Sequence, residues 1–319
     1  MPAAEPMHPR LISLVMPAYN EQDTIDLTFE RLEAAFRDTP YQWELVFVND
    51  GSADQTLSKA TAFRSSVFRM VVVDLSRRFG KEAALCAGLR ATAGDAVIPL
   101  DADLQDPPEL VLEMIDRWEK GAEVVVARRS NRSSDTWAKR ASAALFYRMF
   151  NLISDVAIPE NVGDFRLMDR SVVEVINSLP ENRRFMKGLF AWAGFRTEEI
   201  EYVRPARVAG QTKFNTVRLV GLAIEGVTSF STAPLRLVTY VGGSVAIAAM
   251  LYGCYIVART LIEGIDLPGY ASVISLLAFL SGLQLLGIGI VGEYVGRTYM
   301  ESKSRPPYVV RQVYRSDVL

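Results

Sequence analysis

Residues 96–106 read AVIPLDADLQD, in which a short apolar run leads directly into a cluster of oxygen-bearing side chains. The run from Ala96 to Leu100 is typical of a fully buried strand, because it is short, apolar and bounded by polar residues. Asp101 and Asp103 follow it at once. Buried strands of this kind belong to parallel sheets, whose ligands bind at the carboxyl ends of the strands. The stretch therefore predicts a strand of an α/β fold with a candidate site at its end.

The same pattern recurs on both sides of this stretch. Four further apolar or β-branched runs are Leu11 to Met16, Trp43 to Val48, Met70 to Leu75 and Glu123 to Ala127. Helical patterns lie between them, such as that of Ile25, Phe29, Leu32 and Phe36. Strands that alternate with helices predict an α/β fold with a mainly parallel sheet, covered on both faces by helices.

Polar clusters follow three of the predicted strands. They are PAYNE at 17–21, NDGS at 49–52 and DADLQD at 101–106. Because the carboxyl ends of parallel strands share one edge of the sheet, we expect the clusters to converge. No G-x-G-x-x-G follows the first predicted strand, and the chain contains no G-x-x-x-x-G-K-[ST]. A divalent cation on Asp101 and Asp103, with Gln105 as a further oxygen ligand, is therefore expected to hold a diphosphate. Taken alone, such an acidic pair more often caps a helix or solvates a turn.

Composition argues against several other kinds of chemistry. The only histidine is His8, and the two cysteines, Cys86 and Cys254, lie far apart. Imidazole catalysis, a disulfide framework and a cysteine zinc site are therefore not expected. The net charge of -2 gives no support for nucleic-acid binding. The first ten residues lack the apolar segment of a secretory signal.

Two charge-free apolar runs near the C-terminus predict a membrane anchor. They cover about residues 237–258 and 269–292, and about 20 residues suffice to cross a bilayer. The alternative is a pair of buried helices in a soluble core. Arg and Lys are frequent after the second run and scarce in the loop between the runs. This bias predicts that both ends face the cytoplasm, at the inner membrane of the cell.

These features divide the chain into four segments. They are a cytoplasmic catalytic domain at 1–215, a juxtamembrane amphipathic helix at 216–233, two transmembrane helices within 234–294 and a basic cytoplasmic tail at 295–319. For the amphipathic helix, packing on the catalytic domain is an equal alternative to a position in the membrane interface. Small residues in the spans, among them Gly242, Gly243, Gly289 and Gly292, predict close helix packing and a homo-oligomer such as a tetramer.

Together the motifs resemble the family 2 glycosyltransferases of the GT-A fold, and among them the polyprenyl-phosphate glycosyltransferases, which include dolichol-phosphate mannose synthases and bactoprenol glucosyltransferases. The matching stretches are PAYNE (17–21), VNDGS (48–52), SRRFGKEAAL (76–85), DADLQDPPEL (101–110), GDFRLMDR (163–170), RFMKGLFAW (184–192) and GQTKF (210–214). They run through nearly the whole soluble portion, and the two C-terminal spans match the bactoprenol glucosyltransferase-like branch. The resemblance implies a GT-A nucleotide-sugar-binding fold.

The resemblance also implies where the donor binds. The nucleotide-sugar-binding positions would be Pro17, Tyr19, Glu21, Asp50, Lys81, Asp101, Ala102 and Asp103. Tyr19 would lie beside the base, although Pro17 and Tyr19 could instead merely terminate a strand. Mg²⁺ or Mn²⁺ on the diphosphate would be held by Asp101, Asp103 and Gln105.

For the binding of phosphate and acceptor, the resemblance leaves several basic residues as candidates. Candidates are Arg128, Arg140, Arg207 and Lys213, with Arg129, Arg132, Lys139 and Arg204 nearby. A guanidinium is suited to this role because it offers paired donors to phosphate oxygens. Lys213 lies in GQTKF, where Thr212 replaces the serine of the family's motif and keeps a hydroxyl.

Asp164, in GDFR, corresponds to an acidic residue near the reacting sugar in the family. The resemblance therefore makes Asp164 and Asp103 the catalytic candidates. The alternative for Asp164 is an ordinary turn or helix-cap aspartate.

The implied reaction is the inverting, metal-dependent transfer of one sugar from a nucleotide diphosphate sugar to a polyprenyl phosphate such as undecaprenyl phosphate. Glucose from UDP-glucose is the first expectation, and GDP-mannose or another UDP-sugar is the alternative. A processive polysaccharide synthase would typically carry a Q-x-x-R-W motif, which this chain lacks. A non-enzymatic channel or scaffold is disfavoured because neither apolar run contains a charged residue. A cytoplasmic nucleotidyltransferase would have no use for the spans.

Overall fold

The computed structural model describes residues 10–103, 105–129, 162–181, 186–202, 231–263, 269–316 and 318. The strands in this part of the chain are β1 Leu11–Ala18, β2 Gln42–Asn49, β3 Phe68–Leu75, β4 Ala96–Pro99, β5 Val124–Arg129, β6 Val162–Asp169, β7 Thr197–Tyr202 and β8 Val310–Ser316. The helices are α1 Ile25–Phe36, α2 Thr56–Ala62, α3 Lys81–Ala91, α4 Leu110–Glu119, α5 Arg170–Ser178, α6 Met186–Trp192, α7 Ala233–Glu263 and α8 Tyr270–Ser302. All five strands predicted from the sequence are present.

The described strands form one sheet in the order β7-β5-β6-β4-β1-β2-β3-β8. Parallel pairing joins β1 to β2 and β4, β2 to β3, and β5 to β7. Strands β6 and β8 run antiparallel to their neighbours. Helices connect the central parallel strands, because a parallel pair cannot be joined by a tight hairpin. The predicted α/β fold with a mainly parallel sheet is confirmed.

Side chains on the two faces of the sheet fill separate apolar layers. Ile12, Leu14 and Met16 of β1 pack on one face with side chains of α1 and α4. Val15 points to the other face and packs with α3, since successive strand residues alternate in direction. Helix α3 comes close to the sheet at Gly88, where an added Cβ would lie 2.3 Å from a Val15 methyl group. Layers on both faces therefore hold the ends of the central strands in place.

Strand β6, which the sequence analysis did not predict, lies between β4 and β5. Its pairing sets Val97 of β4 opposite Met168. Because the two strands are antiparallel, Asp164 lies further along β6 in the direction in which β4 leads to Asp101. Asp164 is thus a strand residue, and the alternative of a turn or helix-cap aspartate is wrong. The cap of α5 is instead Asp169, whose carboxylate accepts a hydrogen bond from the Ser171 amide at 2.9 Å.

Helices α7 and α8 are long and apolar enough to cross a membrane, at Ala233–Ile256 and Phe279–Ser302. Almost none of the residues in these two stretches is buried, which argues against the alternative of buried helices in a soluble core. The Tyr294 hydroxyl of α8 donates a hydrogen bond to the carbonyl of Ser231, just before α7, at 2.7 Å. Most of the predicted amphipathic helix at 216–233 lies outside the described residues.

After α8 the chain returns to the sheet. Residues 310–316 form β8, which pairs with β3 and sets Tyr314 opposite Val72. Tyr314 and Tyr308 pack against the apolar layers on opposite faces of the sheet. The segment predicted as a basic tail therefore contains the end of α8 and an edge strand of the sheet.

Candidate active site

The loops after β1, β2 and β4 lie at one edge of the sheet, because these strands are parallel neighbours. Glu21, Asp50 and Asp101 belong to these three loops. The predicted convergence of the three polar clusters is therefore confirmed. It creates an edge with a high density of carboxylates, which suits a bound cation.

One ammonium group bridges two of these carboxylates. Lys81 is the first residue of α3, and its Nζ lies 2.6 Å from Asp101 Oδ1 and 2.8 Å from Asp164 Oδ2. Burial alone would lower the pKa of Lys81, but the two aspartates outweigh it and raise the pKa above its ordinary value. Lys81 is therefore protonated. Through these two ion pairs, Lys81 connects helix α3, the loop after β4 and strand β6, which are three separate motifs in the sequence.

The DADLQD loop is held by its own hydrogen bonds and by α1. Asp103 Oδ1 accepts from the amide of Gln105 at 3.2 Å. The carbonyl of Ala102 accepts from Thr28 Oγ1 at 3.1 Å. Gln105 is buried, at 6% exposure, whereas Asp101 and Asp103 are partly exposed. The two aspartates are thus presented at the strand end with Gln105 behind them.

Oxygen donors at this loop fit a hard divalent cation better than zinc, which usually recruits nitrogen or sulfur. Within the described residues, no three His, Cys, Asp or Glu side chains form a metal-binding group. A cation on Asp101 and Asp103 would therefore need further ligands. Gln105, a bound diphosphate and water can supply them, because Mg²⁺ usually keeps several waters and substrate phosphates in its shell.

Glu21 lies at the same edge after β1. Its Oε2 accepts from Thr24 Oγ1 at 3.0 Å. Burial raises the pKa of Glu21 above its ordinary value, and the nearby charges of Asp103, Asp54 and Asp101 act in the same direction against the Thr24 hydrogen bond. These couplings show that the PAYNE and DADLQD motifs share one electrostatic environment.

Asp50 holds the loop at residues 76–80 that precedes α3. Its carboxylate accepts from the amides of Phe79 at 2.6 Å and Gly80 at 2.9 Å, and it is buried. Next to it, Gly51 has a φ of +64°, and a Cβ there would lie 2.4 Å from the backbone carbon of Arg77. The NDGS motif therefore fixes this loop against β2. A contact between Asp50 and a nucleoside stays a prediction.

Tyr19 lies at the end of β1, beyond the strand residues Pro17 and Ala18. The guanidinium of Arg78 covers its ring at 4.1 Å from the centroid, a favourable cation–π geometry. Arg78 comes from the 76–80 loop and was not singled out from the sequence. Its contact with Tyr19 becomes visible only in the structure, where the PAYNE and SRRFG motifs lie next to each other.

Arg166 is a second residue that the sequence analysis missed. It lies two positions from Asp164 on β6. It is 6% exposed, its guanidinium lies 4.0 Å from the Phe190 ring centroid, and Nη2 donates to the Gly163 carbonyl at 2.8 Å. Burial lowers the pKa of Arg166 to about 10, against the charge of Asp164. The clue in the sequence that could have revealed Arg166 is its position two residues after Asp164 in the GDFR motif.

Only one of the predicted phosphate-binding residues is described. Arg128 lies on β5, and its Nη1 is 3.0 Å from Glu199 Oε2 on β7, with both side chains more than 40% exposed (43% and 42%). Such surface pairs contribute about 0–1 kcal/mol, so Arg128 can exchange Glu199 for another anion. Arg140, Arg207 and Lys213 lie outside the described residues.

Comparison with known families matches both parts of the chain. Residues 13–176 match the family described as Glycosyl transferase family 2, and residues 233–298 match the one described as GtrB C-terminal hairpin. The first match covers the chain from β1 into α5 and includes Lys81, Asp101 and Asp164. The second covers most of α7 and α8.

Several relatives match almost from end to end. The prophage bactoprenol glucosyl transferase homolog of Escherichia coli is 48% identical over 95% of this chain and 99% of its own. The bactoprenol glucosyl transferase of Shigella phage SfX is 49% identical over 94% and 98%. An uncharacterized glycosyltransferase of Synechocystis is 44% identical over 97% of each chain. With its GT-A-like sheet and apolar C-terminal hairpin, this chain belongs to glycosyl transferase family 2 and is a glycosyltransferase.

Proposed function

We propose that this chain transfers a single glucosyl group from UDP-glucose to a polyprenyl phosphate such as undecaprenyl phosphate. The observation that carries the proposal is the Asp101–Lys81–Asp164 arrangement at the sheet edge of a chain that also has two helices of membrane-spanning length. An acidic edge with a central ammonium suits a cation-bound diphosphate, and an apolar hairpin suits a lipid acceptor. Similarity over nearly the whole chain to proteins named bactoprenol glucosyl transferase, at 48% and 49% identity, supports the choice of glucose.

In this proposal Asp101, Asp103 and Gln105 hold Mg²⁺ or Mn²⁺. The carboxylate and amide oxygens of this loop are the ligands that such cations prefer. The bound cation supplies positive charge to the diphosphate and so makes it a better leaving group. Lys81 lies against Asp101 and adds a second positive charge at the same place.

The acceptor needs no strong general base, because the second pKa of a phosphate monoester is about 6. Its dianionic oxygen forms a bond to the anomeric carbon of the sugar. The bond from that carbon to the diphosphate oxygen breaks on the opposite face, and the electron pair leaves with the nucleotide diphosphate. The anomeric configuration is therefore inverted. The protein's main task is to align two anionic substrates.

Asp164 and Lys81 are suited to this alignment. Asp164 accepts the Lys81 ammonium at 2.8 Å and is 20% exposed, so its carboxylate is held in place at the edge of the site. We assign Asp164 to the positioning of the donor sugar or the acceptor phosphate. Arg128, together with Arg140, Arg207 and Lys213 from outside the described residues, is assigned to phosphate binding.

At the nucleoside end, Tyr19 after β1 lies against Arg78 of the 76–80 loop, which Asp50 fixes. The stacked Tyr19 and Arg78 side chains offer flat groups on which a base can lie. This arrangement supports the assignment of Pro17, Tyr19, Glu21 and Asp50 to the nucleoside part of the site.

The catalytic domain and both chain ends lie on the cytoplasmic side of the cell membrane in this proposal. Lys303, Arg305, Arg311 and Arg315 follow α8, and cytoplasmic segments are enriched in such residues. The pairing of β8 with β3 supports the same orientation, since a spanning hairpin must then begin and end on the side of the sheet. A topology reporter fused after Leu319 that reads out as extracytoplasmic would contradict it.

The test is the transfer of radiolabelled sugar into organic-extractable lipid by the full-length protein in membranes. UDP-glucose with undecaprenyl phosphate is expected to give labelled lipid, and omission of the acceptor should remove it. If labelled lipid forms from GDP-mannose or another UDP-sugar but not from UDP-glucose, the proposed donor sugar is wrong and the proposed reaction class still holds. The absence of labelled lipid from every donor, with donor and acceptor intact, would overturn the reaction itself.

A further inference from the structure

The pairing of β8 with β3 contains one irregularity, next to the candidate site. The register passes from Asp74 opposite Gln312 to Leu75 opposite Val310. Arg311 therefore has no counterpart on β3 and is the extra residue of a β-bulge. Bulges re-aim a side chain and are frequent beside active sites, so the direction of Arg311 is informative.

The bulge directs Arg311 towards the end of β3. Its Nη1 lies 3.4 Å from Asp74 Oδ2, and its Nη2 donates to the carbonyl of Ser76 at 2.6 Å. Asp74 is 2% exposed. A buried carboxylate is costly unless it is paired, so the C-terminal strand supplies the positive charge that this position requires.

The same carboxylate is shared with the NDGS motif. Asn49 Nδ2 donates to Asp74 Oδ1 at 2.7 Å, and Asn49 Oδ1 accepts from the amide of Ser52 at 3.2 Å. The Ser52 hydroxyl in turn accepts from the amide of Asn20 at 3.0 Å. A chain of hydrogen bonds thus runs from Arg311 through β3 and β2 to the PAYNE loop.

Arg311 also holds the start of the 76–80 loop. The Ser76 carbonyl accepts from Arg311, and the Ser76 amide donates to the carbonyl of Val309 at 2.9 Å. At the other end of the same loop, the amides of Phe79 and Gly80 bond to Asp50. Arg78, which covers Tyr19, lies between these two anchors.

We propose that Arg311 is a positioning residue for the donor nucleotide, acting from the C-terminal strand by holding the 76–80 loop in the shape that places Arg78 over Tyr19. The proposal rests on the proposed function, because it takes the nucleoside to bind beside Tyr19. It makes the segment after the membrane hairpin part of the donor site. From Ser302 to Val310 the chain can extend at most about 28 Å, so this strand also ties the donor site to the end of α8.

The chain offers a matched control on the same strand. Arg315 stands opposite Val71 in regular register and is exposed. Arg311→Ala and Arg315→Ala each remove one arginine from β8, but only the first removes the contacts with Asp74 and Ser76. Arg311→Lys retains a positive charge for Asp74 and loses the paired geometry of the guanidinium, which guards against a simple failure of Arg311→Ala to fold.

The experiment compares these three variants with the wild type as full-length protein in nanodiscs. Hydrogen exchange is measured at the amides of Phe79 and Gly80, together with the Kd for UDP and the KM values for donor and acceptor. Arg311→Ala is expected to exchange faster at both amides and to bind UDP about tenfold more weakly. Its donor KM should rise while its acceptor KM stays unchanged, with Arg311→Lys intermediate and Arg315→Ala equal to the wild type.

Unchanged exchange at Phe79 and Gly80 in Arg311→Ala would overturn the proposal, and so would an equal loss of UDP binding in Arg315→Ala. A wild type that binds no UDP would count against the proposed donor instead. In that case exchange at the two amides still decides whether Arg311 holds the loop, so the two failures are distinguishable.

Discussion

The ammonium nitrogen of Lys81 lies 2.8 Å from a carboxylate oxygen of Asp164, and this ion pair joins the first turn of α3 to β6. The same nitrogen is 2.6 Å from Asp101. Because Asp101 is also a proposed cation ligand, Lys81 and a divalent cation compete for one carboxylate. Two positive charges at such short range repel each other, so the ammonium is expected to turn towards the diphosphate when the cation binds.

Lys81→Met is therefore expected to bind Mn²⁺ about tenfold more tightly than the wild type in the absence of nucleotide. Its turnover should nevertheless fall about a hundredfold, because a positive charge beside the departing diphosphate is lost. Mn²⁺ affinity is measured by electron paramagnetic resonance, and turnover by labelled lipid. Lys120→Met is the control, since Lys120 Nζ also lies 2.6 Å from an aspartate, but on the exposed surface of α4. Weaker Mn²⁺ binding in Lys81→Met would contradict the competition.

Asp164→Asn should reduce kcat about a hundredfold while changing the Kd for UDP less than about threefold. The amide keeps the volume of the side chain but no longer pairs with the Lys81 ammonium, and the reacting groups lose alignment. Asp169→Asn, on the same strand, is the control, because asparagine also caps a helix N-terminus well. Near-normal kcat in Asp164→Asn would leave this aspartate with a purely structural role.

Glu21 predicts a pH dependence of stability. Burial, with the charges of Asp103, Asp54 and Asp101 and against the Thr24 hydrogen bond, raises the pKa of Glu21 above its ordinary value of 4.5. Between the two pKa values the folded state holds more protons than the unfolded state, so the free energy of unfolding falls as pH rises through that window. Glu21→Gln should flatten this part of the profile in metal-free denaturant titrations. An identical slope in the variant would show that Glu21 does not cause it.

The predicted homo-oligomer can be tested on the spans. An added Cβ at Gly242, Gly243, Gly289 or Gly292 would meet nothing within 4 Å, so these small residues are open to contact with a second copy. Replacing both Gly242 and Gly243 by leucine is expected to lower the mass observed in gentle detergent. Ala248→Leu, on another face of α7, should leave the mass unchanged. A monomeric wild type would refute the oligomer.

The central strands were predictable because their local sequence alone carries the signal. Strand β4, for example, is buried on both faces and its sequence AVIP is a continuous apolar run. Strand β6 was missed because Asp164 and Arg166 interrupt its apolar pattern on the face that carries the site. Strand β8 was missed because it is exposed and basic, and its partner β3 lies more than 230 residues earlier in the chain. Nothing in residues 310–316 specifies that pairing.

The candidate site was predictable to the extent that it follows from strand ends. Asp101, Asp103 and Glu21 could be brought together from the parallel topology alone. The Lys81 bridge could not, because it depends on the antiparallel strand β6, which carries Asp164 to the same end of the sheet as Asp101. The stacking of Arg78 on Tyr19 likewise depends on a loop shape that Asp50 and Arg311 impose.

The last prediction concerns Asp103, which with Asp101 is proposed to hold the divalent cation on the diphosphate. Asp103→Ala should remain folded and membrane-bound, because the side chain is partly exposed at a strand end and contributes little to packing. It should lose Mn²⁺ binding and about a thousandfold in sugar transfer, since the departing diphosphate loses its counter-charge. Asp103→Asn, which can still accept the Gln105 amide, separates loss of loop shape from loss of charge and should be nearly as inactive. Excess EDTA should abolish sugar transfer by the wild type, and added Mg²⁺ or Mn²⁺ should restore that activity. Full activity in EDTA, or an active Asp103→Ala enzyme, would refute the cation site and with it the proposed way in which this chain activates the donor.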